Sequence, residues 1–163
     1  MTAAVLAPTL VGATLVVGLV AGFLAAFAHT VMPGLGATDD ATFVGAFRAI
    51  DRTVYNPWFM VPFALAPVLV GAALLLALGD QQWGVAVLVA AALVLAAATV
   101  GITGAVHLPL NRELGDVVLS AGASDLAAAR GRFEDRWVRW NVGRTVTSTG
   151  SFACLALALL RAY

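Results

Sequence analysis

The chain has 163 residues, enough for one domain, and its composition excludes most soluble classes of protein. Hydrophobic residues make up 61% of it and charged residues only 11%, against roughly a quarter charged in soluble globular domains. The formal net charge is zero, so the chain lacks the basic face that binds nucleic acid. We therefore expect an integral membrane protein forming a single transmembrane domain, residues 1–163.

Four apolar segments are long enough to cross a hydrocarbon core, which takes about 20 helical residues. They cover roughly residues 4–29, 57–78, 83–106 and 145–160. The connection between the second and third segments is very short, so these two spans form an antiparallel hairpin. The sequence thus predicts an all-α fold, a four-helix transmembrane bundle.

The connection between the first two spans contains a predicted amphipathic helix. The stretch "VMPGLG" before it pairs proline with glycine and indicates that the first span ends there. Thr38 or Asp39 can cap the following helix. We expect this helix to lie on the membrane surface or over the mouth of the bundle. Its apolar stripe has helical spacing and consists of Phe43, Phe47, Ile50 and Val54.

The last helix is predicted to be long. After the break "SAGAS", Ser124 can cap a helix that continues into the fourth span, so that its charged half extends beyond the bilayer. Eight of the nine arginines lie in the two long connections, which share one side of the membrane when there are four spans. The positive-inside rule makes that side cytoplasmic and favours the cell inner or plasma membrane as the location.

Three polar stripes rise to this same side of the bundle. His29 shares one helical face with Gly18, Gly22 and Ala26, a small-residue pattern suited to close helix contact. Polar side chains inside a membrane normally face the bundle interior, so the stripes predict a polar cleft. The second stripe is Thr99, Thr103 and His107, and the third is Trp140, Arg144, Thr147, Ser151 and Cys154, with Asn141 and Ser148 beside it.

The stretch "HLPLNRELG" ends the third span and is predicted to break the helix. Pro109 lacks a backbone N–H and so frees carbonyl groups toward the cleft. The break would return Asn111 to the cleft beside His107. Glu113 and Arg112 can pair with each other or with the arginine-rich last helix.

No cofactor motif is evident. The cofactor is left open: one option is that none is needed, and the less favoured option is a metal held by His29 and His107, with a carboxylate from Asp51, Asp39 or Glu113. Two histidines fall short of the three or four protein ligands that a metal site normally needs. The same two side chains could instead form a hydrogen-bonded pair in the core.

Four motifs in order, "VMPGLG", "RAIDRTVYNPWF", "HLPLNRELG" and "WVRWNVGRT", resemble the anthrone oxygenase family of small membrane proteins. The resemblance covers essentially the whole chain. The chain departs from the family pattern at His107 and Asp51, where the family has asparagine, at Val142, where histidine is common, and at His29, which has no counterpart. The matching residues are Met32, Pro33, Ile50, Asn56, Pro57, Pro109, Asn111, Leu114, Trp137, Trp140, Asn141, Arg144 and Thr145.

This resemblance implies an oxygenase that uses O₂ to convert anthrone-type phenolic polyketides, which are small lipophilic aromatic molecules, into anthraquinones. A neutral histidine can remove the proton, while an arginine and an amide hold the developing oxyanion. The runner-up is a non-catalytic membrane protein that binds a small lipophile or a partner helix, and a homo-oligomer fits either reading. The candidate catalytic residues are His107, His29, Asn111, Asn141 and Arg144, and the candidate substrate contacts are Trp140, which would stack on the rings, with Arg48, Asp51, Arg112 and Thr103.

Overall fold

The computed structural model describes residues 2–118 and 122–162, and all the secondary structure in these ranges is helical. Two π-helical turns interrupt the α-helices. The first π-turn, Phe27–Val31, joins α1 to α2, and the second π-turn, Thr103–His107, joins α5 to α6. The α-helices are α1 (Thr2–Ala26), α2 (Met32–Gly36), α3 (Asp40–Val54), α4 (Pro57–Gly79), α5 (Trp83–Ile102), α6 (Leu108–Gly115) and α7 (Ala123–Ala162).

Four continuous helical stretches are long and apolar enough to cross a membrane, which confirms the predicted all-α membrane fold. They are Val5–Gly36, Pro57–Gly79, Trp83–Gly115 and Ala123–Ala162. The first and third are longer than the predicted spans because the helix continues through the π-turns. The helix α7 has 40 residues and is therefore about 60 Å long, roughly twice the thickness of the hydrocarbon core.

The four long helices pack in a ring in the order α1, α4, α5 and α7, with α7 returning to α1. The core between them contains many alanines, which allow the helix backbones to approach closely. Larger apolar side chains such as Leu10, Val70 and Leu155 fill the remaining space and are completely buried. A second apolar cluster lies between α3, α6 and the first half of α7.

The first span does end within "VMPGLG", at Gly36, although Pro33 itself does not end the helix. The predicted break of the helix in "HLPLNRELG" was wrong, because the helix continues past Pro109. Each proline stands in the first turn of the α-helix that follows a π-turn, where its missing N–H is not needed. In the second π-turn the N–H of Leu108 donates to the carbonyl of Thr103, five residues earlier. The wider turn keeps the chain helical as far as Gly115.

The amphipathic helix α3 forms as predicted. Asp39 caps it by accepting from the backbone N–H of Thr42 at 3.0 Å. Phe43 and Phe47 are buried against the end of the bundle, with α7 and α6 beneath them. This packing favours the second of the two expected positions for α3, over the mouth of the bundle.

Arg130 of α7 holds the start of α3 in place. Its guanidinium donates to the carbonyls of Gly36 at 2.7 Å and Thr38 at 2.8 Å and forms an ion pair with Asp40 at 3.1 Å. It also lies over the ring of Phe43, 4.5 Å from the centroid. Arg130 therefore stabilises the packing of α3 against α7.

The start of α7 differs from the prediction. The helix begins at Ala123, so Ser124 lies in its first turn and does not cap it. Part of the predicted "SAGAS" break, residues 120 and 121, lies outside the described residues. Glu113 pairs with Arg132 of α7 at 3.2 Å, which is one of the two pairings expected for it.

Candidate functional site

A cavity lies where α1, α3, α4, α6 and α7 meet. The space between its walls is about 640 Å³ including the part open to the outside, and the centre of a water-sized molecule can occupy about 80 Å³ of it. One wall is aromatic, and a few polar groups converge on the other. The aromatic wall is formed by Phe23, Phe27, Phe47, Phe59 and Phe63, and the polar wall by Asp51, Thr103, His107, Asn111, Trp137 and Arg144.

The imidazole of His107 is buried in the cavity wall, with only 1% of the residue exposed. The second π-turn positions it against Trp137, whose ring it meets edge-on with centroids 5.0 Å apart. The backbone carbonyls of Ile102 and Trp137 come near the ring. Within the described part of the chain, however, neither ring nitrogen has a hydrogen bond of ordinary geometry. His107 is therefore able to accept a proton or a hydrogen bond from a ligand.

Arg144 places a guanidinium in the same cavity, although only 7% of the residue is exposed. It donates to the side-chain oxygens of Asn141 at 2.8 Å and Thr103 at 3.3 Å, whereas its Nε has no partner. No carboxylate among residues 2–118 and 122–162 forms an ion pair with it. A buried cation without a counter-ion is costly, so this position favours an anionic ligand.

Asn141 supports Arg144 and does not line the cavity. It is completely buried, and its amide nitrogen donates to the carbonyl of Leu24 at 3.3 Å while its oxygen accepts from Arg144. The guanidinium also lies 5.5 Å from the ring of Trp137. These contacts orient Arg144 toward the cavity, so Asn141 is a positioning residue.

A chain of hydrogen bonds connects three helices along the polar wall. The indole N–H of Trp137 in α7 donates to the side-chain oxygen of Asn111 in α6 at 2.9 Å. The amide nitrogen of Asn111 then donates to the carboxylate of Asp51 in α3 at 2.6 Å. Burial raises the pKa of Asp51, and the hydrogen bond from Asn111 opposes that rise.

Five of the predicted site residues line this one cavity, and their chemical roles stay predictions. His107 and Asn111 share a wall because the helix continues between them, so that they lie four residues apart on one face; the predicted break was not needed. The inward stripe on the third span is also confirmed, since Thr99 is buried and its hydroxyl meets that of Thr147 at 2.7 Å. The five predicted residues that line the cavity are Asp51, Thr103, His107, Asn111 and Arg144.

The expectation that His29 points into the bundle was wrong. His29 is exposed, as are Gly22 and Ala26 on the same face. The face of α1 that packs in the bundle instead carries larger side chains such as Leu10 and Val17. His29 and His107 thus do not line a common cavity. Among the described residues, no group of three or more His, Cys, Asp or Glu is arranged to hold a metal ion.

Three other candidates lie beside the cavity and do not line it. Trp140 is 42% exposed and faces away from the aromatic wall, so its predicted stacking has no support from its position. Arg48 and Arg112 line a neighbouring polar chamber.

Trp137 takes the place in the cavity that was expected of Trp140, and the analysis of the sequence missed it. The missed signal was the register of α7. The prediction followed the line Trp140, Arg144 and Thr147, whereas the buried face runs through Trp137, Asn141 and Arg144. Both lines have helical spacing, so spacing alone did not decide between them.

The chain matches a known protein family. The sequence profile of the family described as Anthrone oxygenase matches residues 52–154, which is well over half of the chain. This range contains α4, α5, the second π-turn, α6 and most of α7, and therefore His107, Asn111 and Arg144. No curated protein and no solved structure matches.

Proposed function

The chain belongs to the anthrone oxygenase family, and from this membership and the cavity we propose that it is a membrane-embedded oxygenase acting on a flat phenolic substrate. The substrate class is an anthrone-type polyketide, and the oxidant is O₂. The observation that carries the proposal is the pairing of two buried groups in one apolar cavity. Among the described residues, neither ring nitrogen of His107 has an ordinary hydrogen bond, and Arg144 has no counter-ion.

These two groups suit the first step of such an oxidation. The methylene carbon of an anthrone is slightly acidic, because its anion is the electron-rich phenolate of the tricyclic ring. His107 accepts the proton as a general base. Arg144, oriented by Asn141 and Thr103, holds the negative oxygen that develops on the ring system.

The remaining chemistry balances with O₂ alone. The substrate anion passes an electron to O₂, the resulting radicals combine, and the proton returned by His107 gives a hydroperoxide at the former methylene carbon. Loss of water from this hydroperoxide leaves a carbonyl group. One oxygen atom of O₂ ends in the quinone and the other in water, while the carbon loses four electrons and O₂ gains them.

The aromatic wall fits a flat apolar ligand. Phe23 and Phe59 lie with ring centroids 4.3 Å apart and present a surface on which fused rings can pack. An open depression beside Thr53 shares Phe27 and Ile50 with the cavity. A substrate dissolved in lipid can therefore reach the cavity from the side of the bundle.

We place the two long connections on the cytoplasmic side of the cell membrane, because they carry most of the arginines. Labelling of single cysteines tests this orientation in a Cys154→Ala background. A cysteine at Gln81 should react with an impermeant maleimide added to intact cells, whereas one at Asp116 should not. The reverse labelling pattern would contradict the proposed orientation and leave the proposed reaction untouched.

Product formation by the purified protein separates this function from its alternative, a membrane protein that only binds a small lipophile. Anthrone is incubated with the protein in detergent under air and under argon, and anthraquinone is measured. Empty micelles and the His107→Asn protein control for spontaneous oxidation. Faster oxidation by the wild type, in air only, supports the oxygenase. Binding of anthrone without acceleration contradicts it and favours the lipophile-binding alternative.

A further inference from the structure

A second chamber adjoins the cavity at its polar end. We call it the arginine chamber because Arg48, Arg52 and Arg112 line it. The two spaces are adjacent, since Asp51 and Asn111 belong to the walls of both. A ligand in the cavity therefore lies next to the chamber, with the side chains of Asp51 and Asn111 at the junction.

The positive charge of the arginine chamber is not neutralised by ion pairs. The chamber has two carboxylates, Asp51 and Asp116, yet no ion pair in the described parts of the chain connects them with the three arginines. One oxygen of Asp51 instead accepts from Asn111. The two acids thus leave guanidinium groups available for a ligand.

The three arginines differ in how firmly they are held. Arg48 is half-buried, and its Nη1 donates to the carbonyl of Val117, while its Nε is buried without a partner among residues 2–118 and 122–162. Arg52 and Arg112 are exposed and have no hydrogen bond to any residue that the structure describes. Arg48 is therefore a fixed donor, and the other two can close over a bound group.

We propose that the arginine chamber binds an anionic substituent, a carboxylate, on the same ligand whose fused rings occupy the cavity. This inference rests on the proposed function and narrows the substrate class to flat aromatic acids. The planar guanidinium group matches the two oxygens of a carboxylate, which makes arginine well suited to this task. The cavity and the chamber together form an amphiphilic site, aromatic at one end and cationic at the other.

Asp51 lies at the junction and would repel a bound anion if fully ionised. Two features reduce this repulsion. Burial raises the pKa of Asp51, and the amide of Asn111 neutralises part of the charge on one of its oxygens.

Two matched probes test the proposal by binding alone. Anthraquinone-2-carboxylate carries the anion, and anthraquinone-2-carboxamide has nearly the same shape without it. Their affinities are measured by quenching of tryptophan fluorescence, with the full-length protein in nanodiscs of zwitterionic lipid. We expect the wild type to prefer the carboxylate. In the double variant Arg52→Gln and Arg112→Gln this preference should fall by about three- to tenfold, as expected for two solvent-exposed charges, with unchanged carboxamide affinity.

The control removes the same charge elsewhere. Arg136 and Arg139 of α7 are exposed and lie outside the chamber lining, so replacing both with glutamine should leave the preference intact. An equal loss in this control would overturn the proposal, because it would show a general effect of net charge. Equal affinities of the two probes for the wild type would also overturn it, while leaving the proposed oxygenase in place. If the wild type binds neither probe, both proposals fail.

Lipid headgroup phosphates are the other source of an anion near a membrane surface. Nanodiscs containing phosphatidylglycerol therefore form a second arm of the experiment. We expect the carboxylate preference to persist in them. If the anionic lipid abolishes the preference, and the double variant is insensitive to that lipid, the chamber holds a headgroup and the proposal is wrong.

Discussion

The amide nitrogen of Asn111 lies 2.6 Å from the carboxylate of Asp51 and donates a hydrogen bond to it. This contact joins α6, at the end of the third membrane-crossing helix, to the amphipathic helix α3. Asn111 also accepts a hydrogen bond from Trp137 of α7. Its side chain therefore links the three helices α3, α6 and α7 at the cavity.

Replacing Asn111 with alanine should destabilise the protein. Both the indole N–H of Trp137 and the carboxylate of Asp51 would lose a partner in a partly buried place. We expect the free energy of unfolding to fall by about 1–3 kcal/mol. Thermal unfolding in detergent measures the effect, and Arg112→Ala is the neighbouring control, since Arg112 is exposed and has no described hydrogen bond. Equal losses in both variants would contradict the account.

The raised pKa of Asp51 predicts a pH dependence of stability. An acid whose pKa is higher in the folded state binds its proton more tightly there, so its contribution to stability is complete below the ordinary value of 3.8 and is lost as the pH rises through the folded value. The wild type should thus lose stability relative to Asp51→Asn as the pH rises above 3.8 toward neutrality. Melting temperatures of the two proteins, compared across this range, test the sign. A difference that grows in favour of the wild type would contradict it.

The two histidines provide a matched pair of variants. His107→Asn should slow anthrone oxidation by about 10²–10⁴-fold, as expected on removing a general base. His29→Asn should oxidise anthrone at the wild-type rate, because His29 is exposed and outside the cavity lining. Unchanged turnover by His107→Asn would show that His107 is not the base.

Arg144 should be required for the reaction but should contribute little to the free energy of unfolding. Arg144→Gln removes the positive charge but not the hydrogen-bonding capacity, and we expect about a 10²–10³-fold loss of kcat, as for removal of an oxyanion donor. Because the buried charge is lost as well, the variant should melt no lower than the wild type. A variant that unfolds far more easily yet turns over normally would assign Arg144 a structural role.

The hydrophobic pattern and the composition predicted the architecture because polar and apolar side chains are clearly separated in the segments that decide it. The α3 stripe separates Phe43 and Phe47 from charged neighbours, and the Thr99–His107 stripe stands out from an otherwise apolar helix. Where polar and apolar side chains are separated in this way, the sequence pattern identifies the buried face of the helix. The all-α fold, the amphipathic helix and the inward face of the third span were correct for this reason.

The same reasoning failed where a helix has no separate polar and apolar faces. Every face of α1 is apolar, so its buried face is set by the shapes of side chains such as Leu10 and Val17, and the small-residue face that carries His29 points outward. The π-turns also could not be predicted from the sequence. A proline indicates only that one N–H is missing, and tertiary packing decides whether the helix ends or widens to accommodate it, as it does before Pro109.

The fate of the oxygen atoms tests the central claim most directly. Anthrone is oxidised by the wild-type protein under ¹⁸O₂, and the anthraquinone is analysed by mass spectrometry against His107→Asn and empty micelles. We expect the wild type to form quinone faster than both controls, with one labelled oxygen at the new carbonyl. Wild-type quinone that forms no faster than in empty micelles, or that carries unlabelled oxygen from water, would contradict the assignment of this protein as an oxygenase.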